Sequence, residues 1–241
     1  MHKKRGYKRD TPLELLRDYK LFAIACEGGK REPNYFKVFE YMSRKVKVDI
    51  INNIVSDIEI SIVDQNKSAP KWVLDRAVRY IEKEGLNEDD ELWFVIDVDK
   101  WSEQQLREIA SYCEAKQNWN IVLSNPCFEV WLYFHKANDL QTSKSKTCQD
   151  LKMEISKLEK GGYHEYKFIP LIQDAILNAK NADSDPKHFF PKHKETKMYK
   201  VAESILKVVG KKNFADFLTH ELPRLIDLDI QKSKISKRRL K

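Results

Sequence analysis

Two aspartates one residue apart, Asp97 and Asp99, close the apolar run Leu92-Trp93-Phe94-Val95-Ile96. A second apolar run, residues 21–26, ends in Glu27-Gly28-Gly29, so acids tip two strand-like segments. In an extended strand alternate side chains share a face, and Asp97 and Asp99 are therefore expected to point the same way, with Val98 opposite. Carboxylates that close repel each other unless a proton or cation lies between them, and oxygen-only ligands suit Mg²⁺ or Mn²⁺. A lone D-x-D reads equally well as a solvated strand end. The second acid-tipped strand favours chemistry.

The elements that must position these acids alternate along the chain. Thr11-Pro12-Leu13-Glu14 has an N-cap, a proline at the first helical position and a glutamate three residues after the cap, which predicts a short helix before the first strand. Tyr35, Phe36 and Phe39 stand at helical spacing within 33–45, and 46–54 reads as a strand. Residues 70–84 read as a helix ended by Gly85. Residues 91–96 form an apolar strand, Ser102-Glu103-Gln104-Gln105 opens a helix to about residue 116, and 120–123 forms a fourth strand. This alternation predicts an α/β fold with a largely parallel, Rossmann-like sheet, helices on both faces, and functional groups at the strands' carboxyl ends. From about Asp139 the strand signals fade, and 144–160, 168–181, 198–209 and 214–225 read as helices. The expected organisation is a basic tail and short helix over 1–19, a core over 20–138, a mainly helical region over 139–230 and a basic tail over 231–241.

With 241 residues and 41% hydrophobic content the chain can bury a real core. No run approaches the roughly 18 apolar residues of a membrane span, and the charged first twenty residues do not read as a signal peptide. Cys26, Cys113, Cys127 and Cys148 show neither a C-x-x-C pair nor zinc-ligand spacing, which predicts free thiols and a cytoplasmic location. Residues 1–10 and 231–241 carry net charges of +4 and +6 within a total of +7, so the remaining body is −3. Basic ends of this kind hold a polyanion by counterion release, or simply solubilise the termini.

Three segments line up as a set: Cys26-Glu27-Gly28-Gly29-Lys30-Arg31-Glu32-Pro33-Asn34-Tyr35-Phe36, then Asp97-Val98-Asp99, then the stretch Ser124-Asn125-Pro126-Cys127-Phe128-Glu129-Val130-Trp131-Leu132-Tyr133-Phe134-His135. Together they resemble the RloB-like family, proteins linked to bacterial restriction and abortive-infection loci whose core is similar to a TOPRIM domain. Tyr166-Lys167, Asp174-Ala175-Ile176 and Asn178-Ala179 extend the resemblance into the second half. Arg31 departs from it, standing where a small hydroxyl residue, usually threonine, is expected. The resemblance implies a TOPRIM-type, Mg²⁺- or Mn²⁺-dependent phosphodiester-cleaving nuclease acting in antiviral defence. It assigns Glu27 as general base or metal ligand and Asp97 and Asp99 as metal ligands. Glu32 and Glu129 are weaker candidates, as further acidic ligands for a two-metal core. It also implies an ATPase partner, in keeping with the lack of any G-x-x-x-x-G-K-[ST] loop in this chain. The rival reading is a non-catalytic nucleic-acid-binding or interaction subunit beside that ATPase. DNA versus RNA, and homo-oligomerisation, stay open.

Gly28 and Gly29 allow a tight turn and close approach to a phosphate. Lys30 and Arg31 beside the presumed site, and Lys192, Lys194 and Lys197 later, are candidates for phosphate or nucleic-acid contact, or solvated loop residues. Asn125-Pro126 reads as a helix start, which puts Glu129 in a first turn where the macrodipole favours an acid. His135 lies on the apolar stripe of Phe128, Trp131 and Leu132, as a core histidine does more often than a catalyst. Trp101 could stack on a base or lid the core.

Overall fold

The computed structural model describes residues 17–51, 69–99 and 101–239. The expected helix after Thr11, the basic residues 1–10 and the end of the expected second strand at 52–54 lie outside the described residues. The first strand, β1, is Lys20–Cys26, followed by α1 (Arg31–Lys37) with a 3-10 turn at Val38–Tyr41, and by β2 (Val46–Ile50). Next come α2 (Pro70–Glu84), β3 (Glu91–Asp97), α3 (Glu103–Cys113), β4 (Trp119–Asn125) and α4 (Glu129–Phe134). The second half contains α5 (Cys148–Leu158), α6 (Glu165–Phe168), α7 (Ile172–Ala182), β5 (Glu195–Thr196), α8 (Tyr199–Asp216) and α9 (Leu222–Arg239).

Strand order is β2-β1-β3-β4-β5, with β1 to β4 parallel and β5 antiparallel to β4. The fold is α/β with helices on both faces and a helical C-terminal segment, consistent with a Rossmann-like arrangement. β1 shows why: its side chains alternate between two cores, Phe22, Ile24 and Cys26 entering one and Ala23 and Ala25 the other. A strand buried on both faces needs no polar alternation, which is the pattern of a covered parallel sheet. Helices α2 and α3 cover one face through Val73, Ala77, Leu106 and Ile109. On the other face α1, α4 and the C-terminal helices share one core with β1, through Phe36, Trp131, Leu151, Phe168 and Ile205. Each such side chain contributes about 1.5–3 kcal/mol by burial. The helical region 139–230 is thus built into the sheet's own core.

Local signals set several boundaries. Gly85 ends α2 at φ 73°, a left-handed conformation that glycine adopts without steric cost. The Ser102 side chain accepts from Gln105 N while the Gln105 side chain accepts from Ser102 N, completing the expected capping box of α3. A second box, Thr147 with Asp150, starts α5 at Cys148 rather than at 144. Gly210, at φ 77°, interrupts α8.

The region after Asp139 is mainly helical as expected, with one short strand, Glu195–Thr196, paired with Ser124 and Asn125; two residues are too few to show alternation. Two expectations need correction. Asn125-Pro126 does not open a helix: the peptide bond is cis and α4 begins at Glu129. The backbone of 231–239 continues α9 instead of leaving the helix at 230.

Lys194 and Lys197 also fall elsewhere than a nucleic-acid surface would need. Lys194 is buried, its Nζ donating to Ser143 O at 2.6 Å. Lys197 Nζ donates to Asp183 Oδ1 and Asp185 O, both at 2.6 Å, with the two side chains of the ion pair 1% and 0% exposed. Lys192 stays exposed. Replacing Lys197 by Met strands the buried Asp183 charge, and the expected cost is about 3–5 kcal/mol in urea unfolding. The Lys197→Met, Asp183→Asn double variant should be less destabilised than Lys197→Met alone. A single-variant loss below about 1 kcal/mol would show that the pair is not needed for stability.

Candidate functional site at the sheet's switch point

The chain leaves β1 toward β2 on one side and leaves β3 toward β4 on the other. The connecting helices α1 and α3 cover opposite faces, so a crevice opens between the carboxyl ends of β1 and β3. Glu27 follows β1 and Asp97 ends β3, and both lie at this crevice. Glu27 N extends the β1–β3 ladder by donating to Val95 O at 3.1 Å. The Glu27 carboxylate accepts from Asp97 N at 3.3 Å and from Trp101 Nε1 at 3.5 Å. Trp101, partly buried against the core of α2 and α3, therefore lids that core while its indole N–H faces Glu27.

Two more acids enter from the face of α1 and α4. Glu32 lies in the first turn of α1 and is buried, and a Cβ added at Gly28 would overlap its carboxylate. A side chain at 28 would therefore require the Glu32 carboxylate to shift. At Gly29 an added Cβ meets nothing within 4 Å, so the loop is open there. Glu129 opens α4, is buried, and pairs with the guanidinium of Arg31. Lys30, just before α1, is exposed.

Asp99 departs from the expected alternation. β3 ends at Asp97, and the next residues are strapped to the neighbouring loop, Val98 N donating to Ser124 O at 2.9 Å and Asp99 N to Pro126 O at 2.8 Å. Asp99 takes φ 35°, a region that aspartate tolerates better than most residues, and is exposed. The period-2 argument fails there because the backbone is no longer extended. Asp99 still acts on the crevice electrostatically, adding to the upward push on Glu27.

The electrostatics centre on Asp97. Burial pushes its carboxyl well above the usual range, and Glu32, Glu27 and Glu129 push it further. Burial likewise lifts Glu27 to about 7, against the opposing hydrogen bonds from Trp101 and Asp97 N. Glu32 is raised by burial and by Glu129, opposed by its own backbone N–H and by Arg31. Asp97, Glu27 and Glu32 thus gain proton affinity together, and a cation would compete with the proton for them. The donors are oxygen only, which suits a hard divalent ion. As they stand, among the described residues no three His, Cys, Asp or Glu groups are arranged to hold a metal ion. Glu27 faces Asp97 N and Trp101, and Glu129 faces Arg31.

Several neighbours escaped sequence reasoning. Arg76 of α2 donates to Cys26 O at 3.3 Å and lies within electrostatic range of Glu27. Its only signal is a cation beside the apolar stripe Val73, Ala77, Tyr80. The Cys127 and Cys148 thiols share a hydrogen bond next to Glu129, which raises Cys127 and lowers Cys148. All four cysteines are free, Cys148 partly exposed. His135 is a core residue: it is buried, Nδ1 contacts Trp131 O at 2.9 Å and Nε2 contacts the Tyr35 hydroxyl at 3.0 Å. The carbonyl fixes the proton on Nδ1, and burial lowers the imidazole to about 3.

The fold is a layered α/β protein with a switch point at the carboxyl ends of its parallel strands, the place where open sheets of this kind take ligands when they have them. A family model described as RloB-like protein matches residues 22–205, and the chain belongs to that family. The match runs from β1 into α8 and includes every acid of the crevice. No curated protein and no solved structure matches the chain. Among the described residues no helix is long and apolar enough to cross a membrane.

Proposed function

We propose that this protein is a Mg²⁺- or Mn²⁺-dependent nuclease of TOPRIM type, the effector of a bacterial defence system that works beside an ATPase. The observation that carries this reading is the convergence of Glu27, Glu32 and Glu129 on Asp97 at one switch-point crevice, each of the three raising the proton affinity of Asp97. Asp97 and Glu27 are the residues to hold the ion, with Asp99, Glu32 and Glu129 at its margin. A divalent ion there supplies a nucleophilic water near neutral pH and stabilises the leaving oxygen of a phosphodiester. General base is the alternative role for Glu27, open to it only where the carboxylate stays off the ion. Gly28 and Gly29 present backbone without side chains where a phosphate would approach. Lys30 offers an exposed cation beside it.

Cleavage assays on single- and double-stranded DNA and on RNA test the reading, each with Mg²⁺, Mn²⁺ or EDTA and with or without the ATPase encoded nearby and ATP. Metal-dependent scission that the partner switches on is the expected result. A second reading, a non-catalytic nucleic-acid-binding or interaction subunit, is favoured by one observation: Glu27 and Glu129 are already satisfied by protein groups. Binding without scission under every condition would establish it.

Deleting 1–10 and 231–241 removes ten net positive charges. Nucleic-acid affinity should fall and the slope of log K against log salt should flatten, since each phosphate contact contributes about −0.9 to that slope on duplex DNA. Unchanged binding at low and high salt would transfer the contact to the folded body.

A further inference from the structure

Two thiols meet where the start of α5 packs beside α4. Cys127 lies in the loop between β4 and α4 and is buried, 2% exposed, in the core that α4 shares with the C-terminal helices. Cys148 is the first residue of α5, packs against the same core and stays partly exposed. The two side chains are in direct contact through a thiol–thiol hydrogen bond, and neither is oxidised. Cys26 and Cys113 are placed differently, both buried, one at the end of β1 and the other at the end of α3 in the core of the opposite face. The unequal access of the touching pair sets an order of events. A reagent from solvent reaches Cys148 first, and Cys127 meets only what Cys148 already carries.

The backbone on both sides of the contact is anchored. Pro126 O accepts from Asp99 N at 2.8 Å and Cys127 O accepts from Val130 N at 2.9 Å, so the Cys127 loop joins the end of β3 to the start of α4. On the other side the capping box of Thr147 and Asp150 fixes the first turn of α5. Two reacting groups held together in this way have already lost most of the freedom that a chance encounter would cost.

We propose that Cys148 and Cys127 form a dithiol–disulfide site whose oxidant is a low-molecular-weight disulfide. The Cys148 sulfur attacks one sulfur of that disulfide; a bond forms between them, the reagent's own S–S bond breaks, and one reagent thiol leaves with the proton that Cys148 gives up. The Cys127 sulfur then attacks the Cys148 sulfur, gives up its proton and releases the second reagent thiol. Two protein thiols are oxidised to one disulfide while one reagent disulfide is reduced to two thiols. The crosslink ties α5 to the loop that precedes Glu129 and holds Asp99 N. The site uses no metal ion, so it stands whatever the crevice binds.

Incubating the full chain with glutathione disulfide, quenching in acid, and reading intact mass and peptide maps tests the proposal. The wild type should end as a Cys127–Cys148 disulfide free of glutathione, reversed by dithiothreitol, and formed at least about tenfold faster than any adduct at the buried Cys26 or Cys113. Cys127→Ala should stop with glutathione attached to Cys148. Cys148→Ser should leave the buried Cys127 unmodified, and this arm and the wild type decide the matter even where Cys127→Ala does not fold. A wild type that stops at a glutathione adduct on Cys148, a crosslink through Cys26 or Cys113, no reaction of the folded chain, or modification of Cys127 at the wild-type rate in Cys148→Ser would each overturn the proposal.

Discussion

Replacing Asp97 by Asn is expected to lower nucleic-acid cleavage by at least about a hundredfold, because a ligand that supports several kcal/mol of transition-state stabilisation is lost without a change of shape. The fold should survive, and without metal it should gain stability. Burial and the neighbouring acids hold the Asp97 carboxyl well above its usual range, so its contribution is greatest below its unfolded value and is lost as pH rises through the folded one. Asparagine removes that loss at neutral pH. Thermal melts separate the two effects: Mn²⁺ should raise the midpoint of the wild type and raise that of Asp97→Asn much less. Equal metal-induced shifts would take Asp97 out of the site.

Glu27 provides the second large effect, as a pH dependence. Its carboxyl moves from 4.5 to about 7 on folding, chiefly through burial. Between those values the folded chain keeps a proton that the unfolded chain has released, so stability falls with rising pH across that window and levels off above about 7. The full shift corresponds to about 3 kcal/mol, and for a half-buried group about 2 kcal/mol is the working expectation. Stabilisation by Mn²⁺ should run the other way and grow as pH passes 7, since the ion displaces the proton. Denaturant midpoints for wild type and Glu27→Gln, compared from pH 4.5 to 8, read out the difference. Parallel curves would mean that Glu27 does not titrate in the crevice.

Much of the sheet was legible because its signals are local. The capping box at Ser102, the glycine that ends α2 and the wholly apolar strands before Glu27 and Asp97 act within a few residues of themselves. Those strands placed Glu27 and Asp97 correctly at neighbouring carboxyl ends. The rest depends on partners far along the chain. Asp99 leaves the strand because its N–H is taken by Pro126 O, and no spacing rule contains that bond. β5 exists because β4 offers a free edge to two residues. Lys194 and Lys197 read as a basic surface cluster, yet their amines are buried on Ser143 O and Asp183. Arg31 was legible as an unusual residue for the family and as a cation near the site. Its partner Glu129 was not, since the two meet only when α1 and α4 dock on the same face of the sheet.

Crystals soaked in Mn²⁺ and measured above the manganese absorption edge test most directly whether the crevice between β1 and β3 is a metal centre. An anomalous peak is expected about 2.1 Å from carboxylate oxygens of Asp97 and Glu27, with Glu27 turned away from Asp97 N and Trp101 to reach it. A crevice with no peak at saturating Mn²⁺, and Glu27 still hydrogen-bonded to Asp97 N and Trp101, would contradict it.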